Sequence, residues 1–235
     1  MDAPKVKVTT FKITNDCINE EGRWEGDVLI DTSELISLNE AFSRVNITSL
    51  DTTNWNLSKL NSATYCFRFC TKLKKIIGVE NWGMSSADVV NGMFYNSGLE
   101  ELDVSKWDIH ASRYDEMFVN MKSLKKLDLT SWDFSRCIGI NYFATGCSLL
   151  ETIVGDYSLN DVISNEISVL NGCKVGAPNM FQNTLLNTAS LRAIINGIAD
   201  LTGKPSQTLS LGETLMAKLT EEDIAIATAK NWTIV

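Results

Sequence analysis

One histidine, His110, stands among 235 residues, and three prolines and 21 basic side chains against 29 acidic ones leave a formal charge of −8. A single imidazole leaves no material for a multi-histidine metal site and few routes to a Ser-His-Asp triad or other histidine-based acid–base chemistry. The shortage of positive charge, with no stretch that gathers it, argues against nucleic acid as a partner, because neutralising phosphates requires a basic face. No window approaches the ~20 mostly apolar residues of a membrane-crossing helix, so membrane insertion is not expected. The start Met1-Asp2-Ala3-Pro4-Lys5-Val6-Lys7-Val8 alternates charged and apolar residues, a pattern that predicts no secretory leader. Six cysteines, Cys17, Cys66, Cys70, Cys137, Cys147 and Cys173, are too sparse for a disulfide framework and form no CxxC pair, so reduced, mostly buried thiols are expected. Cys66 and Cys70 lie one helical turn apart but lack the second pair of a zinc site. Neither a Gly-rich phosphate loop nor a nucleophile elbow occurs. The sequence therefore predicts no catalytic residue, no metal site and no cofactor.

What is present is a packed-core composition, 44% hydrophobic, with its aromatics in a period. Trp55, Trp82, Trp107 and Trp132 are separated by 27, 25 and 25 residues, and Phe42, Phe67, Phe94, Phe118 and Phe143 by 25, 27, 24 and 25. Two residue types sharing one period in the twenties is the mark of leucine-rich-repeat architectures. The stretch Leu124-Lys125-Lys126-Leu127-Asp128-Leu129-Thr130-Ser131-Trp132 follows LxxLxLxxN/C with Trp in the Asn/Cys place, and Leu99–Trp107 and Ile47–Trp55 fit the same template. Leu73–Trp82 carries one extra residue around Ile76-Ile77-Gly78, echoed at Ile153-Val154-Gly155.

In this reading the LxL core is a short strand with alternating inward and outward side chains, stacked in parallel on its neighbours about 4.8 Å away. The Phe segment reads as a short helix, since Ser112-Arg113-Tyr114-Asp115-Glu116-Met117-Phe118 offers a Ser cap and early acids. The predicted fold is thus an α/β leucine-rich-repeat solenoid of short parallel strands and short helices. Its expected parts are a β-rich N-terminal cap over residues 1–33, repeats of about 25 residues over 34–159, and an irregular repeat plus a capping unit over 160–235. Residues 160–179 read as a polar interruption before Met180-Phe181 restates the repeat. Thr188 is expected to cap a helix bearing Leu191, Ile194, Ile195, Ile198 and Leu201, Thr220 with Asp223 to form a capping box, and Trp232–Val235 to close the chain as a strand.

The units LDVSKWDIHASRYDEMFVNMKSLKKLDL and LDLTSWDFSRCIGINYFATGCSLLETI resemble the repeat of the BspA-like leucine-rich-repeat surface proteins of bacteria. The tail from Ala189 to Val235 is similar to the terminal segment of gut-bacterial and phage-associated members, so the resemblance runs from about Glu34 onward. It implies cell-surface adhesion and protein binding, with a phage structural or fibre component as the alternative. With no leader expected from the N-terminal residues, the expected setting is the cell surface or a virion, the latter needing no leader.

Asp51, Asp103, Lys126 and Asp128 fall at outward strand positions and are the candidate contacts for a protein or glycan partner. The same aspartates, each in an Asp-x-Ser/Thr sequence, can instead accept hydrogen bonds from the turn that follows. The Trp column offers an aromatic stripe for a ligand, but its inward place in the template assigns it to the core. Acid pairs such as Glu100-Glu101 point apart on a strand and cannot act as a glycosidase pair, which needs two carboxyl groups facing across ~5–10 Å. The expected function is non-enzymatic recognition.

Overall fold

In the computed structural model, which describes residues 5–24, 26, 30–134, 136–154, 180–198 and 200–235, the phenylalanine segments are turns rather than the short helices predicted for them. The reason lies in where their amides point. The N–H groups of Leu38, Glu40, Phe42 and Arg44 donate to the carbonyls of Ser62, Thr64, Cys66 and Arg68 in the next repeat at 2.8, 2.9, 2.9 and 2.8 Å. The intervening amides of Ala41, Ser43 and Val45 close turns onto Leu38, Glu40 and Phe42 at 3.0, 3.1 and 3.0 Å. A helix would satisfy all of these groups within its own segment; here every second amide is committed to a neighbour. The alternation recurs from Ala63, Tyr65, Phe67 and Phe69 onto Val89, Asn91, Met93 and Tyr95, and twice more along the chain. Glu40, Arg44, Tyr65, Phe69, Glu116 and Asn120 have φ between 54° and 64°, the left-handed conformation that type II turns require and a helix cannot contain.

Between these turn segments the backbone forms short parallel strand pairs, giving a mixed α/β chain with few helices. Near the N-terminus β1 (Val6–Lys7) pairs with β2 (Ile30–Asp31). Within the repeats β3 (Ser49–Asp51) pairs with β4 (Lys75–Ile77), and β5 (Lys126–Asp128) pairs with β6 (Thr152–Val154). The inward partners, Leu50 opposite Ile76 and Leu127 opposite Ile153, are buried. Leu99–Val104, expected to continue the row, forms no strand. Its ladder stops after one long bond from Glu100 N–H to the Lys74 carbonyl at 3.4 Å.

Aromatic columns run through the repeats. The rings of Phe42, Phe67, Phe94 and Phe118 stack at 5.3, 5.6 and 5.8 Å with interplanar angles of 11°, 5° and 5°. Phe143 breaks the series, meeting Phe118 edge-on at 89°. Its carbonyl accepts the Phe118 N–H, the part that Met117 plays toward Phe94, so Phe143 stands one residue off the column and Ala144 fills the Phe place. Ala144 N–H in turn donates to Met180, which returns Phe181 to the column.

The C-terminal unit comprises α1 (Thr188–Gly197), β7 (Gln207–Leu209), α2 (Glu213–Met216), α3 (Glu221–Ala229) and β8 (Trp232–Ile234), with β7 and β8 parallel. Asn187, not Thr188, caps α1, its side chain accepting from Ser190 N–H. Thr220 and Asp223 form the expected capping box at α3. Cys173 and the polar interruption at 160–179 lie outside the described residues.

Asp223 is also gripped by Arg192, whose Nε and Nη2 donate to its two carboxylate oxygens at 2.8 and 3.2 Å. That guanidinium first, and the Thr220 backbone N–H second, hold the carboxyl down at about 2. A depressed folded-state pKa contributes stability that is complete above the ordinary carboxylate value of ~3.9 and is lost as pH falls through the folded value. Asp223→Asn therefore lowers the melting temperature at neutral pH, and its deficit relative to the parent shrinks as pH drops from about 5 to about 2. Thermal melts by circular dichroism across that range test this, and an equal deficit at both ends contradicts it.

Candidate interaction surface

Each Asp-x-Ser/Thr sequence of the strand row folds into the same small turn. The carboxylate of Asp51 accepts the Thr53 N–H at 2.9 Å. Asp103 takes the Ser105 N–H and hydroxyl at 3.0 and 2.6 Å, and Asp128 takes those of Thr130 at 3.3 and 2.6 Å. These hydrogen bonds, the hydroxyl's the largest in each case, lower all three carboxyl pKa values, so the groups are ionised at neutral pH. The turn then delivers a tryptophan four residues on. Trp55, Trp82, Trp107 and Trp132 stack at 6.1, 5.6 and 6.0 Å, within 11° of parallel. The indole N–H groups of Trp107 and Trp132 donate to the carbonyls of Val79 and Val104 at 2.8 and 2.9 Å, and that of Trp82 to the Thr52 hydroxyl at 2.9 Å. Those three rings are buried. Trp55 is half-buried, and its indole N–H has no partner.

The outward side chains meet at the break in the row. An open groove of about 760 Å³ lies there, bordered by Glu101, Asp103, Lys125, Lys126, Asp128 and Leu149 among others. Asp103, Lys126 and Asp128 are thus brought together, with Lys126 Nζ 3.1 Å from an Asp128 oxygen. Asp51 is not among them; it is exposed on β3, opposite Ile77. Glu100 at the rim is bound by Lys74 at 2.8 Å. Two residues that the sequence reading missed share the outward position: Ile77, 40% exposed, and Val154, 39% exposed and opposite Asp128. Consecutive apolar residues on a strand point to opposite faces, so the pairs Ile76-Ile77 and Ile153-Val154 already required one side chain of each to face out.

Chemically the surface offers carboxylates, ammonium groups and isolated apolar side chains. Among the described residues, no three His, Cys, Asp or Glu side chains converge as a metal site. Cys66, Cys70, Cys137 and Cys147 are buried. Burial raises the thiols of Cys70, Cys137 and Cys147 to about 12, and Cys66 also stands well above the ordinary value. Cys70 and Cys147 donate their S–H groups to the Phe42 and Phe118 carbonyls at 2.8 and 2.9 Å. They are core groups, protonated and poor nucleophiles. Among the described residues, no helix is long and apolar enough to cross a membrane.

Residues 36–162, more than half of the chain, match a family described as "Mycoplasma protein of unknown function, DUF285". No curated protein and no solved structure shows a significant match.

Proposed function

We propose, from the premise that the chain belongs to the DUF285 family, that it is a leucine-rich-repeat solenoid of the BspA-like kind and acts as a non-enzymatic binding module for a protein or glycan. The observation that carries this reading is the groove at Asp103, Lys126 and Asp128, where charges of both signs stand exposed beside the apolar Leu149 on a row also bearing Ile77 and Val154. Mixed polar and apolar side chains on a rigid, hydrogen-bonded support are what a recognition surface needs, because little ordering is required on binding. Asp51, Asp103 and Asp128 each spend one carboxylate oxygen on their own turn, and Asp128 gives its other oxygen to Lys126, so the free oxygens of Asp51 and Asp103 and the Lys126–Asp128 pair are what a partner would meet.

The test is an array of bacterial and host surface proteins and glycans probed with the purified chain and with the double variant Asp103→Lys/Lys126→Glu. Binding by the parent, weakened about tenfold or more in a variant that melts at the same temperature, supports the assignment. An array on which the parent binds nothing, a variant that binds as well, or hydrolysis of a glycan by the purified protein overturns it.

A further inference from the structure

The turn row carries a surface of different chemistry. The Arg68 guanidinium carbon lies 4.6 Å from the Tyr65 ring centre, 5.0 Å from that of Phe69 and 5.5 Å from that of Tyr95, while Arg44 stands 4.6 Å over Phe69. Three successive repeats contribute. The alternating backbone makes this possible, since Tyr65 and Phe69 occupy the left-handed turn positions at φ 56° and 59°. Gly92, in the same conformation, has no Cβ to collide with the Tyr65 ring that lies against it. Phe69 and Tyr95 also meet edge-on at 5.4 Å. Arg44 is exposed, and Tyr65, Arg68, Phe69 and Tyr95 are half-buried, so the cluster is open to solvent.

Neither guanidinium forms a direct ion pair among the described residues, although seven other cationic side chains do, and Glu40 is near enough for both to help lower its carboxyl pKa. Lys12 holds the nearby Glu40 at 2.9 Å, and the Tyr65 hydroxyl pKa is raised first by burial and then by the charge of Glu116 beside it. Arg68 Nε is buried with no hydrogen-bond partner. A guanidinium held by its face keeps its N–H donors at its edge, in the planar fork that matches a carboxylate. Packing on the rings accounts for the faces of these two side chains and, with Arg68 Nε buried, leaves the Arg44 edge and the Nη end of Arg68 for a ligand.

We infer that Arg44 and Arg68, supported by Tyr65, Phe69 and Tyr95, form a docking site for an acidic polypeptide segment, its Asp or Glu carboxylates received by the Arg44 edge and the Nη end of Arg68. A peptide is favoured over a saccharide because the faces of Tyr65 and Phe69, on which a sugar would stack, already carry guanidinium groups. Arginine and tyrosine are also the side chains that dominate protein–protein contacts. The site is separate from the strand-row groove and does not depend on it.

Titration of the full chain with poly-L-glutamate, followed by calorimetry, tests the inference, with hyaluronate as the polycarboxylate saccharide. Saturable binding to poly-L-glutamate is expected, weakened by salt and reduced about tenfold in Arg44→Gln/Arg68→Gln. Asp103→Lys/Lys126→Glu should leave it unchanged. Should the double arginine variant fail to fold, Arg44→Gln alone, at an exposed position, decides the matter by a drop of about threefold. No binding to poly-L-glutamate, equal or tighter binding to hyaluronate, or arginine variants that bind like the parent would each overturn the assignment.

Discussion

Trp107→Ala is expected to cost about 3–5 kcal/mol of folding stability, the range for removing a large buried aromatic. The ring is fully buried between Trp82 and Trp132, at 5.6 and 6.0 Å, so its loss opens a cavity in the middle of a column rather than at an end. The Val79 carbonyl also loses the donor that reaches it at 2.8 Å. Trp82 and Trp132, which stack on the two sides of Trp107, lose their contact with it together. Trp55→Ala is the internal comparison: that ring is half-buried, its N–H has no partner to leave behind, and the loss should be clearly smaller. Urea unfolding followed by tryptophan fluorescence gives both values. A Trp107→Ala protein that unfolds with the parent would mean that the column is not part of the core.

Gly78→Ala should cost about 2–4 kcal/mol when the left-handed conformation and the crowding are added. Gly78 has φ +81°, and a Cβ there would stand 2.8 Å from the Thr53 backbone N and Cα. That backbone belongs to the turn after β3, so relief of the clash means prising β4 away from β3. Gly203 separates the two contributions, because it has φ +78° with nothing within 4 Å of an added Cβ. Gly203→Ala should cost only the conformational part, about 1–2 kcal/mol. Equal losses at the two positions would show that the approach to Thr53 costs nothing.

The stacking of Trp82, Trp107 and Trp132 was legible because a period in bulky aromatics survives any uncertainty about local conformation. The turn row was not. Ser112, Asp115 and Glu116 suit a helix start, yet serine and aspartate serve turns equally well, and a single repeat cannot show that its amides are claimed by the next. Phe143 illustrates a second limit. Spacing alone placed it in the Phe column, whereas the hydrogen bonds put Ala144 there, and a shift of one residue lies within the scatter of 24 to 27 that the repeats themselves display. At the strand row, the outward places of Asp103, Lys126 and Asp128 could be inferred from strand alternation. Their convergence could not, since it arises where Leu99–Val104 leaves the ladder. The arginine cluster gave no signal at all, because Arg68 and Tyr95 are 27 residues apart and meet only through stacking.

The alternating amides of the turn row have a genetic corollary. Four successive turn segments present donors at every second residue to the acceptors of the next, so an in-frame duplication or deletion of one such unit would rejoin matching edges and let the gene change length in single steps. Insertion of one codon inside a turn segment is a different event. It reverses which amides point to the neighbour and which close their own turn, whereas around Phe143 the alternation is intact and only the ring's place in the column has moved by one residue. Length is thus open to variation in this architecture, whereas parity within a turn segment is not.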